Sequence, residues 1–245
     1  MGTYWKWVLA LIAPLVLAGC LLIPGKFESQ LRLMNDGTYS FTYNGQMQLA
    51  EGEDKPSPDS AMTDEESGDG GATDDEQKNA AMRAVFGGAV PGDDEGLKKF
   101  AAQLAKYDGW NKVEYVGDNL FEVEYAVSGN FDQMFAFPTI PGATMQFPFV
   151  QILRRSGGEI EVSTPAMAGP GGLTGAMGPM AMGANSKQDI QPIDGDFTIE
   201  TDGEILSNNT TDGYSSSGAL KRLHWVVNDS SSANGSPRAI VKLER

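Results

Sequence analysis

The sequence predicts an α+β domain, mainly an antiparallel sheet of hairpins, with two short helices inserted and a disordered acidic loop. Three observations predict it. Stretches that alternate apolar and polar residues recur in pairs around short turns rich in Gly, Asn and Asp. Two other segments carry their apolar residues at helical spacing. Strands outnumber helices and join through short turns.

The first pair is Lys26 to Met34 with Thr38 to Leu49, on either side of Asn35-Asp36-Gly37, a hairpin signature. The first helix is expected over Asp75 to Phe86, with Ala81, Met82, Val85 and Phe86 on one face. The second is expected over Leu97 to Tyr107, where Leu97, Phe100, Ala101, Leu104 and Ala105 share a stripe. Asp93-Asp94-Glu95 before it and Lys106 near its end suit the helix dipole. Lys112 to Val116 and Leu120 to Val127 flank Gly117-Asp118-Asn119 as a second hairpin, and Phe149 to Arg154 with Glu159 to Ser163 form a third across Ser156-Gly157-Gly158. Phe197 to Glu200 and Glu204 to Leu206 lie around Asp202-Gly203. Arg222 to Val227 and Ala239 to Leu243 close a single domain over residues 26–245.

Residues 1–19 read as an export signal rather than as part of the fold. Lys6 is their one charge, an apolar run follows from Val8 to Val16, and Leu17-Ala18-Gly19-Cys20 resembles the lipobox of bacterial lipoproteins. That resemblance implies cleavage between Gly19 and Cys20 and acylation of the Cys20 thiol. The apolar run to Ile23 contains Pro14 and Gly19 and falls short of the ~20 residues a helix needs to cross ~30 Å of hydrocarbon. Cys20 is the single cysteine, so no internal disulfide is available and residues 20–25 read as a lipidated tether. Two or three acyl chains, at ~0.8 kcal/mol per buried methylene, hold a protein to a membrane almost irreversibly. Leu21 follows the cysteine where retained inner-membrane lipoproteins often carry Asp, which favours the outer membrane.

The chain carries a formal net charge of −15, which disfavours binding to nucleic acid. Much of that charge sits between Glu51 and Glu76, where there are 11 Asp or Glu and one Lys. This stretch, covering the insertion at 51–75, has too little apolar surface to offset its ordering entropy and is expected to be disordered. It fails the calcium-loop pattern, since counting from Asp64 puts Asp69 at position six, where Gly is required, and Asp75 at position twelve, where Glu is.

The C-terminal pattern is the most distinctive. Phe197 to Asn209 reads as strand, Asp202-Gly203 turn and strand, followed by Leu223-His-Trp-Val-Val227 and Ala239-Ile-Val-Lys-Leu243. It resembles the domain of LppM-type envelope lipoproteins, in which a Gly-containing turn, an Asn and a Trp-bearing strand recur. Leu31 to Phe41 and Asp108-Gly-Trp110 resemble that family too. The resemblance implies a role at the envelope surface or in contact with lipids and carries over no catalytic residue.

No catalytic constellation is visible and no cofactor is expected. The one histidine, His224, alternates with Leu223 and Trp225 and reads as a sheet-face residue. There is no nucleophile elbow, phosphate loop or zinc helix. A carboxylate-based enzyme would need only two acidic residues. The Gly- and Met-rich stretch 166–184 is too rich in Gly and Pro for a helix or strand. It suits a loop packed over the sheet, a lipid- or partner-facing loop, or, through Met177, Met180 and Met182, a soft thioether site for Cu(I). The stretch from Phe131 to Phe149 is the other apolar segment; its aromatics read as core plugs sooner than as ligand contacts, and the alternative is that with 166–184 it forms a mobile cover over a lipid-sized pocket. The resulting expectation is a lipid-anchored, non-catalytic envelope protein that binds lipid or an envelope partner through apolar loops, with copper handling as the alternative.

Overall fold

β1 (Leu21–Leu33) and β2 (Thr38–Ala50) form the expected hairpin, paired from Leu33↔Tyr39 back to Leu21↔Ala50. In this computed structural model the described residues are 21–50, 90–131, 134–143, 148–167, 191–228 and 235–244. β1 starts five residues before the expected Lys26, so Leu21 to Gly25, read above as tether, are strand. A β-bulge concealed them. Leu22 and Pro24 are buried, then Phe27, Ser29, Leu31 and Leu33, and the register shifts between Pro24 and Phe27. One inserted residue moves the alternation onto the other parity, and a bulge is also where a strand tolerates Pro.

α1 (Asp94–Leu104) follows, capped by Asp93, whose Oδ1 accepts the Gly96 N–H at 2.9 Å. It buries Leu97, Phe100, Ala101 and Leu104, and Tyr115 donates to Asp94 Oδ1 at 2.6 Å from the neighbouring strand. The cap sets its start three residues before the expected Leu97. The expected helix over Asp75 to Phe86 and the acidic insertion 51–75 lie outside the described residues.

β3 (Trp110–Gly117) and β4 (Leu120–Asn130) are joined at Asp118 and Asn119, with φ of 52° and 58°. Positive φ at both central residues is the two-residue turn that matches strand twist. The remaining strands are β5 (Phe135–Phe137), β6 (Val150–Arg154), β7 (Glu159–Ser163), β8 (Asp194–Thr201), β9 (Glu204–Asn208), β10 (Ser215–Ser217), β11 (Leu220–Asn228) and β12 (Arg238–Lys242).

They assemble into two sheets rather than the one expected. The larger has the order β10-β11-β8-β1-β2-β4-β3 and the smaller β5-β6-β7-β12-β9. Pairing is antiparallel except between β1 and β8, which run parallel from Lys26↔Asp194 to Leu33↔Thr201. The Asp202-Gly203 turn therefore carries the chain from one sheet to the other. It is held there because Asp202 Oδ1 accepts the Asn35 N–H at 2.7 Å and Thr201 Oγ1 accepts the Gly203 N–H at 2.9 Å.

The core lies between the sheets. Leu31, Phe41, Phe121, Phe197 and Leu223 from the larger sheet meet Val150, Ile152, Ile160, Val162 and Val241 from the smaller. Phe137, fully buried, sits at its centre, with ring centroids 4.5 Å from Tyr125 and 5.1 Å from both Phe41 and Tyr43. Burying one such ring contributes ~1.5–3 kcal/mol. The described part of the Phe131–Phe149 stretch packs as core plugs and not as a mobile cover: it supplies β5 and buries Phe131, Phe137, Ile140 and Phe149. The Gly- and Met-rich stretch opens with a 3₁₀ turn, Pro165–Met167, that buries Ala166 and Met167, and the rest of it lies outside the described residues.

Candidate functional site

Alternation that sends Leu31, Ile199 and Leu223 into the core sends Arg32, Glu200 and Arg222 to the outer face of the larger sheet. Register then places these three side by side, Arg32 and Arg222 each opposite Glu200. Glu200 Oε2 accepts Arg32 Nε and Nη2 at 3.2 and 2.7 Å, and its Oε1 accepts Arg222 Nε and Nη2 at 3.1 and 2.6 Å. Hydrogen bonds from Arg32, and then from Arg222, hold the Glu200 carboxyl below the usual carboxylate range. The carboxylate is nearly covered while both guanidinium groups are about half exposed.

Beside Arg32 the outer face opens into a groove of about 430 Å³, lined by Arg32, Met34, Thr38, Ser40, Ser128 and Asn130. It lies at the end of β1 far from Leu21. Eleven residues at ~3.3 Å each put that end roughly 35 Å from the start of the strand. The outward residues nearer Leu21 are mainly carboxylates, Glu28, Glu122, Glu124, Asp194 and Asp196, against Lys26 and Lys112.

His224 is on this face, as alternation predicts, with Leu223, Trp225 and Val227 buried behind it. Its Nε2 lies 2.7 Å from Asp196 Oδ1, and both side chains are about half exposed. Among the described residues no serine or cysteine is hydrogen-bonded to either, so the pair lacks the nucleophile a hydrolytic triad requires. A second Arg–Glu–Arg cluster, Arg155 and Arg238 on Glu161, sits on the smaller sheet.

Cys20, Gly19, Met177, Met180 and Met182 lie outside the described residues. Among the described residues no three His, Cys, Asp or Glu side chains are placed to hold a metal ion, and no helix is long and apolar enough to cross a membrane. The Arg32 groove is what sequence reading missed. Its one signal was charge of opposite sign at outward positions of alternating strands. Arg32 and Glu200 are 168 residues apart, and nothing local announces a parallel pairing over that distance.

No family model matches the chain, and no curated protein matches it in sequence. Among solved structures it is similar to the folded domain of the Mycobacterium tuberculosis LppM protein, at 11% identity and a TM-score of 0.32, with 91% of each chain covered. Likeness at this level is too slight to carry a function from one protein to the other.

Proposed function

We propose that this chain is a lipid-anchored envelope lipoprotein, without catalytic activity, that holds an envelope partner in the groove beside Arg32. One observation carries the reading: the proposed anchor and the groove fall at opposite ends of the same strand. β1 begins at Leu21, directly after Cys20, and ends beside Arg32 roughly 35 Å away. An acyl chain on Cys20 would fix one end of this strand, paired with β2 along its length and with β8 from Lys26 on, at the membrane and leave the groove at the far end. The acidic outer residues along the middle of the sheet favour that upright pose over one lying flat, since anionic headgroups repel them.

Partner binding is preferred to lipid binding because Phe131, Phe137 and Phe149 fill the core instead of lining a chamber. The groove is open and offers Arg32, Ser40, Ser128 and Asn130 beside the apolar Met34, which suits a soluble ligand with polar groups better than an acyl chain. Density-gradient fractionation tests the location. Wild-type protein is expected with outer-membrane markers, and Cys20→Ser is expected to remain as unprocessed precursor. Wild-type protein recovered in the soluble fraction would overturn the reading.

A further inference from the structure

The groove has two unlike walls. One is Arg32. Glu200 engages its Nε and Nη2 from the β8 side, which leaves Nη1 outside that pair, and Arg32 itself lines the groove. The other wall is Ser128 and Asn130 on β4, both exposed, their side chains hydrogen-bonded to none of the described residues. Ser40 stands between, opposite Arg32 in one register and opposite Ser128 in the next, and its short side chain leaves the floor low. β1 and β4 are two strand spacings apart, so the walls stand ~9–10 Å from each other. β3 pairs with β4 only as far as Tyr125, which leaves the Ser128 side of the groove without a further strand.

We propose that this groove binds a polar ligand through an oxyanion, a carboxylate or a phosphate, seated on Arg32 Nη1, with ligand hydroxyl or amide groups facing Ser128 and Asn130. The local charge supports it. Both oxygens of Glu200 are occupied, and the row Arg222–Glu200–Arg32 carries one more cation than anion. The carboxylates along the rest of this face repel an anion, and at the distal end Asp36 already accepts the Thr38 N–H and hydroxyl, which leaves Arg32 as the cation lining the groove. A guanidinium end-on edge presents paired N–H donors to an oxyanion, and serine and asparagine both donate and accept, which fits a ligand body carrying hydroxyls. This names the ligand class for the groove in the function proposed above and rests on that groove, independently of how Cys20 is modified.

Three probes separate the contributions: glucuronate, glucose 6-phosphate and glucose share one frame and differ in bearing a carboxylate, a phosphate or neither. Each is titrated into the full-length protein in neutral detergent while the backbone amides of residues 38–40 and 128–130 are followed by NMR. At least one acid is expected to shift those amides saturably while glucose does not, and the tighter acid identifies the oxyanion. Arg32→Gln should weaken binding about tenfold or more. Ser128→Val, which leaves the Arg–Glu–Arg row intact, should weaken it as well. The proposal is overturned if neither acid shifts these amides, if glucose binds as well as the acids, or if both variants bind like wild type. Those results leave acylation at Cys20 untouched, so failure here and failure of the anchor are told apart.

Discussion

Trp225 on β11 donates its indole N–H to Oδ1 of Asn209 at 3.1 Å, tying the larger sheet to the residue that follows β9, an edge strand of the smaller one. The same oxygen accepts the Arg238 backbone N–H at 2.8 Å, and Asn209 Nδ2 donates to Ser236 O at 2.8 Å. The Asn and Trp of the distinctive C-terminal pattern are therefore a joint between sheets.

Removing that joint strands a largely buried indole N–H and leaves the exposed Arg238 backbone N–H to water. Asn209→Ala should cost about 1–3 kcal/mol for the unmet donor. For a domain of this size that lowers the thermal midpoint by several degrees. Asn209→Asp keeps the acceptor and should retain more of the midpoint than Ala. Equal midpoints for all three proteins would show that the joint carries no stability.

The Arg–Glu–Arg row predicts an acid-sensitive component of stability. Folding lowers the proton affinity of Glu200 through Arg32 and Arg222, and that of Glu161 through Arg238 and Arg155. The stabilisation is complete above the unfolded carboxylate value near ~4.3 and is lost as pH falls through the lowered folded values. Thermal midpoints measured from pH 6 down to about pH 3 should therefore fall more steeply for wild type than for Glu200→Gln. Parallel curves would contradict the coupling.

Phe27 reaches its place because its two register partners lack side chains: Gly45 on β2 and Gly195 on β8. A Cβ on Gly195 would stand 2.5 Å from both Phe27 Cδ1 and Phe27 O. Gly195→Ala should destabilise by about 1–3 kcal/mol, as overpacking does. Unfolding in urea measures it, and a wild-type midpoint for the variant would show that the strands do not approach so closely.

The hairpins were legible because each is local: Asn35-Asp36-Gly37 and Gly117-Asp118-Asn119 announce turns, and the flanking alternation announces strands. The α1 stripe was legible for the same reason. What escaped is non-local or irregular. The bulge after Pro24 hid the first five residues of β1. The division into two sheets turns on Asp202 binding Asn35 across 167 residues, a contact no window of sequence contains. The groove was missed because Arg32, Ser40 and Ser128 come from three strands, and only their registers bring them together.

The acidic insertion is expected to contribute nothing to the core, since it has almost no large apolar residue to bury. Deleting residues 54–74 should leave the thermal midpoint nearly unchanged. A fall of several degrees would mean that part of it packs on the domain.

The account depends most on Cys20, and the direct measurement is the intact mass of the mature protein with metabolic labelling by radioactive palmitate. Wild type is predicted to lack residues 1–19, to begin at an acylated Cys20 and to carry the label. Cys20→Ser is predicted to keep the precursor mass and to take up none. Label on the serine variant, or a wild-type protein whose mass shows no acyl chain, would contradict the account.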